Sequence, residues 1–150
     1  MQAMKKPGHK NLAKKNFCFV CGPDNPQGMR LRFHIDEVRR RASCIFRLGK
    51  RYTGPPAHCH GGIIATILDD AMGKLNKAYG VVAVTSKMTV EYLRPVPLFT
   101  RLQVESHHVS RRGRRLKHVA EIRDPSGTVL ARSQGLFIAI NPEKVFGIRL

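Results

Sequence analysis

Between Met29 and Asp36, and again between Val38 and Leu48, apolar and polar positions partly alternate: Leu31, Phe33 and Ile35 in the first stretch, Ala42, Cys44, Phe46 and Leu48 in the second. A period of two puts apolar side chains on one face of an extended chain, so both stretches are predicted as half-buried antiparallel strands. A loop containing Gly54, Pro55 and Pro56 follows, and then the period changes. Ile64, Ile67, Leu68, Ala71 and Leu75 recur at helical spacing from Gly61 to Ala78 with no proline, which predicts a helix of about five turns. Beyond Gly80 the alternation returns in Val81–Tyr92, Leu102–Val109, Leu116–Arg123 and Val129–Ile140. Proline- and glycine-bearing breaks at 95–97, 112–114 and 124–127 separate these four strands. Two strands, one helix and four strands make an α+β arrangement in which an antiparallel sheet must wrap or cover the helix.

Composition narrows the class. A chain of 150 residues with 42% hydrophobic content builds one core without staples, and no repeat or internal boundary divides it. Residues 1–16 carry five lysines and few large apolar side chains, so they are expected to form a basic flexible tail ahead of a single domain over 17–150. No apolar run approaches the roughly 18 residues of a membrane span, and no leader-like stretch opens the chain, so a soluble, cytoplasmic protein is expected. The four cysteines then suit free thiols. Cys18 and Cys21 have the spacing of half a zinc site, but no second pair or His-x₃-His follows, so no metal and no cofactor are expected.

A net charge of +17 implies attraction to polyanions: nucleic acid, an anionic membrane or a phosphorylated small molecule. A basic nucleic-acid-binding protein is therefore the alternative reading. Against it stand only ten aromatic residues and the lack of a recognisable nucleic-acid-binding motif.

Within the predicted helix two adjacent carboxylates differ. Asp70 has Lys74 four residues on, in the favourable order for a helical ion pair, whereas Asp69 has Gly73 there. At about 100° per residue Asp69 points away from the apolar stripe, among Gly62, Ala65, Thr66, Gly73 and Asn76. Such small neighbours let another backbone or a ligand come close. The plain alternative is that both aspartates only solubilise the helix.

The stretch from His60-Gly61-Gly62 through Asp69 to Met72 resembles the signature of PaaI-type hotdog thioesterases, in which HGG opens the central helix and a carboxylate follows nine residues after the histidine. Three further stretches are similar to that family in the same order: Cys18 to Gly28, Tyr52 to Pro56, and Val90 to Pro97. The resemblance covers roughly residues 17–140. It implies a hotdog fold, a long central helix wrapped by a five- to six-stranded antiparallel β-sheet. It also implies pairing into homodimers and often homotetramers, with acyl-CoA bound between subunits.

The activity so implied is hydrolysis of an acyl-CoA thioester to free acid and CoA. The Gly61 amide would be the oxyanion hole, which makes physical sense: helix-start N–H groups are free donors, and glycine puts no side chain in the way. Asp69 would be base or nucleophile, Thr85 would orient water or carboxylate, and His60 would be accessory or cap the turn. Gly62 and His58 fall among the substrate-binding positions, and Arg111, Arg112, Arg114 and Arg115 around Gly113 would grip CoA phosphates. Eight residues at 1.5 Å each separate Gly61 from Asp69 by about 12 Å along the helix, so one subunit cannot present both to one carbonyl. Many relatives have Asn or Gln where this chain has Gly54, a departure that touches carbonyl positioning. A non-catalytic acyl-CoA-binding protein on the same fold would be expected to lack the acid at position 69.

Overall fold

Long alternating stretches give long strands, and here they form a single sheet. The protein, described at residues 15–148 in a computed structural model, comprises β1 (His34–Asp36), β2 (Arg41–Phe46), α1 (Gly61–Gly73), β3 (Val82–Tyr92), β4 (Leu102–Arg112), β5 (Arg115–Arg123), β6 (Val129–Ile140) and α2 (Pro142–Phe146). The basic tail expected at 1–16 lies almost wholly outside the described residues. The sheet order is β1-β2-β4-β5-β6-β3 with every pair antiparallel, so β3 crosses over to the far edge beside β6.

The predicted stripe of α1 is the core. Ile64, Ile67, Leu68, Ala71 and Met72 are buried against Leu102, Val104, Leu116, Ile122 and Phe137 of the sheet. The helix sits so close that a Cβ on Gly135 of β6 would fall 2.9 Å from Met72 Cε and 2.8 Å from the Phe137 ring. No helix among the described residues is long and apolar enough to cross a membrane. All four cysteines are free thiols.

Several boundaries differ from the predicted ones, each for a local reason. Only 34–36 of the first predicted strand joins the sheet, because the Met29 and Leu31 amides donate instead to the Phe19 and Val20 carbonyls. The second strand starts at Arg41, since the chain turns at 37–40 with Val38 exposed and Arg40 at φ 53°. Strands β4 and β5 extend to Arg112 and Arg115, which pair directly and leave a two-residue turn with Gly113 at φ 58°. The predicted helix changes character after Gly73: Lys74–Tyr79 winds as 3₁₀ and stops at left-handed Gly80. This tighter winding turns Asn76 inward, so it is buried and not on the open face with Asp69. The short α2 was not predicted at all; the Asn141 side chain caps it by accepting from the Glu143 and Lys144 amides.

Asn76 Oδ1 accepts from Nε2 of His118, a buried residue of β5, at 2.9 Å. His118 Nδ1 faces His108 Nδ1 at 3.2 Å. Burial first, and then the neighbouring His108, hold His118 from its ordinary 6.5 down to about 4. The unfolded chain therefore binds this proton more readily than the native one throughout that interval. The stability His118 contributes is full above pH 6.5 and is lost as pH falls towards 4, an effect on the order of 3 kcal/mol. Urea denaturation across this range is expected to show the loss, and His118→Gln is expected to flatten it.

Candidate active site

The start of α1 is fixed by the chain that precedes it. Thr53 bridges Cys59, the His60 amide donates to the Tyr52 carbonyl at 2.8 Å, and the Gly54 amide donates to His58 at 3.0 Å. The chain folds back so tightly that a Cβ at Gly54 would lie 2.6 Å from His60 Cα. Glycine at this position is a steric requirement of the loop. His60 is the N-cap, and its Nδ1 accepts from the Gly62 amide at 2.9 Å. That bond fixes Nδ1 as the acceptor, so the Gly62 N–H is satisfied within the chain. Among the described residues nothing takes the Gly61 N–H, which leaves one free donor at the positive end of the helix dipole. Tyr92 at the end of β3 donates its hydroxyl to the Gly61 carbonyl at 2.8 Å and lays its ring beside Gly61.

Two turns further on, half-buried Asp69 faces β3. Thr85 donates its hydroxyl to Asp69 Oδ1 at 2.7 Å, next to a bulge between Thr85 and Lys87. No described residue bonds the other carboxylate oxygen of Asp69. Asp70, 100° around the helix, pairs with Lys74 at 3.5 Å, as its spacing predicts.

A family model for the thioesterase superfamily matches residues 57–131, which contain the glycine turn, α1 and Thr85. The acyl-coenzyme A thioesterase THEM4 of Bos taurus is 32% identical over 127 residues, 84% of this chain and 52% of that relative. The chain belongs to the thioesterase superfamily. It spans about half the length of the curated relatives it matches. The crystal structure of another thioesterase superfamily protein aligns with a TM-score of 0.77 and 30% identity over 82% of this chain and 60% of that one. The Escherichia coli PaaI protein from the phenylacetic acid degradation operon aligns with a TM-score of 0.65 at 20% identity, over 69% and 75%. The fold is thus the α+β hotdog fold that the resemblance implied.

Not every residue named for the thioesterase site converges in one chain. Gly61 and His58 line an apolar cleft of about 320 Å³ with Ile64, Tyr92, Leu93 and Val96. His58 itself is engaged with the Pro56 carbonyl at 2.8 Å. The four arginines do not form one grip. Arg112 and Arg115 share a cleft with Ser110 and Lys117, whereas Arg114 lines a different one beside Asn141. Arg111 bonds the Gly113 carbonyl and stacks over Tyr79. They diverge because successive side chains on a strand point to opposite faces, and the turn between β4 and β5 spreads them further. Tyr92 is the contact that sequence reasoning missed; it belongs to the Val90-Glu91-Tyr92 stretch, but nothing in its pattern announces a hydrogen bond to the helix start.

Gly54→Ala forces its new methyl against His60 backbone and is expected to cost about 1–3 kcal/mol, in the range of overpacking. Thermal and urea denaturation measure this directly.

Proposed function

We propose that this protein hydrolyses an acyl-CoA thioester, using Asp69 as the catalytic carboxylate and the Gly61 amide as the oxyanion donor of an oligomeric site. The observation that carries this reading is the Thr85–Asp69 hydrogen bond. A solubilising surface carboxylate has no need of a hydroxyl partner held in place by another element. A reacting carboxylate does, because one oxygen must be held while the other meets water or the carbonyl carbon. The free Gly61 amide supports the complementary half of the chemistry, since negative charge builds on the carbonyl oxygen as the tetrahedral intermediate forms. Water adds to the acyl carbon, the carbon–sulfur bond breaks, and CoA leaves as the thiol.

Gly61 and Asp69 of one chain lie about 12 Å apart along α1, so the site is completed by a second copy. Strand β3 is the natural place to dock it. Among the described residues it is an 11-residue edge strand paired with β6 alone, with Val84 and Tyr92 exposed and no strand on its outer side. The apolar cleft at Gly61 suits the acyl group, and the basic hairpin of β4 and β5 suits the phosphates of CoA.

Release of free thiol from a panel of acyl-CoAs is the test. Asp69→Asn is expected to lower kcat by about 10²-fold or more with the fold intact. Thr85→Ala is expected to lower it about tenfold, equivalent to ~1.4 kcal/mol of barrier. Absence of turnover by the wild type on every thioester, together with tight salt-sensitive binding of nucleic acid, would overturn the proposal. Sedimentation equilibrium is expected to give a multiple of the 16.9 kDa chain mass.

A further inference from the structure

The thioesterase site leaves one motif without a task, the Cys18-Phe-Val-Cys21-Gly22 turn. Its Gly22 amide donates to the Cys18 carbonyl at 2.9 Å, and a Cβ on Gly22 would lie 2.4 Å from the Cys18 nitrogen. Only glycine closes the loop this tightly, and the closure brings both sulfurs onto α1. There Asp70 Oδ1 lies 3.7 Å from Cys18 Sγ and 3.8 Å from Cys21 Sγ. The three donor atoms all lie within 4.8 Å of one another. The sequence argument against a metal was a shortage of ligands; the fold supplies a third from a helix some fifty residues away.

We propose that Cys18, Cys21 and Asp70 bind a thiophilic divalent cation, zinc foremost, with the fourth position taken by water. A tetrahedral zinc with bonds of about 2.3 Å to sulfur and 2.0–2.2 Å to oxygen sets sulfur and oxygen about 3.5 Å apart, so the two sulfur–oxygen distances need to close by only a few tenths of an ångström. Thiolate donors select such a cation over magnesium or calcium.

Lys74 completes the charge balance from outside the ligand set. Its Nζ pairs with the other carboxylate oxygen of Asp70 at 3.5 Å and donates to Cys21 Sγ at 2.7 Å. Two thiolates and a carboxylate carry three negative charges; the cation and Lys74 supply three positive ones. Asp70 Oδ2 is buried and has no hydrogen-bond partner among the described residues, so that ion pair is its only compensation. Beside the pair, a cleft of about 480 Å³ lined by Cys21, Lys74 and Leu31 gives a path from solvent. The bound ion would clamp the N-terminal loop to the helix that carries Asp69. This proposal rests on no part of the thioesterase reading.

The test is titration of reduced, chelator-stripped full-length protein with Co²⁺, followed by displacement with Zn²⁺. Expected are one equivalent bound, a thiolate-to-cobalt charge-transfer band, the visible bands of a tetrahedral site, and a higher melting temperature. Cys18→Ser and Cys21→Ser should each abolish the charge-transfer band or weaken binding by more than the roughly 10–100-fold that outer-shell changes cost, and Lys74→Met should fall within that range. Asp70→Asn, which keeps the side chain's shape, should weaken binding while the circular dichroism stays native. The proposal is overturned if fully reduced wild type shows no charge-transfer band at stoichiometric cobalt. It is equally overturned if a folded Cys18→Ser/Cys21→Ser double variant binds cobalt as tightly as wild type.

Discussion

The burial of α1 against a single antiparallel sheet is the constraint on which the other features depend. Its stripe of Ile64, Ile67, Leu68, Ala71 and Met72 leaves no rotational freedom about the helix axis, because any rotation would expose apolar surface and bury carboxylates. With the rotation fixed, adjacent aspartates are sent 100° apart to different partners. Asp69 meets Thr85 of β3, and Asp70 meets the two thiols and Lys74 on the other flank. One packing decision therefore creates two polar environments from two identical side chains.

The same constraint organises the helix start. The axis must enter the sheet at a set angle, and the tight bridge between residues 53 and 59 delivers it there, with Gly54 making room for His60. Capping by the His60 ring satisfies one glycine amide and leaves the other open. Tyr92 ties the Gly61 carbonyl to the end of β3, so the strand that holds Thr85 beside Asp69 also steadies the helix terminus. Both ends of the candidate site hang on β3, the strand with no partner on its outer edge among the described residues.

Much of this was legible in the chain. Alternation located all four long strands, helical spacing located α1, and the spacing of Asp70 and Lys74 anticipated their ion pair. The glycine turn and the acid nine residues on identified the family. Boundaries were less legible where backbone partners were distant: nothing in Met29 to Phe33 says that its amides will bond to 19–20 and not to the sheet. The cap of α2, Asn141-Pro142 with Gly147 beyond, is by contrast a local signal that the sequence carries in full.

By itself the sequence determined the α+β class and the buried face of the helix and marked the candidate groups, because these follow from periodicity and residue type within short windows. Only the tertiary structure decided which groups meet: Thr85 with Asp69, Tyr92 with Gly61, His118 with Asn76, and Cys18 and Cys21 with Asp70. It also separated the four arginines that sequence proximity had grouped. The physical reason is that such contacts join residues 16 to 52 positions apart, and their distance is set by strand order and register, which no local pattern encodes.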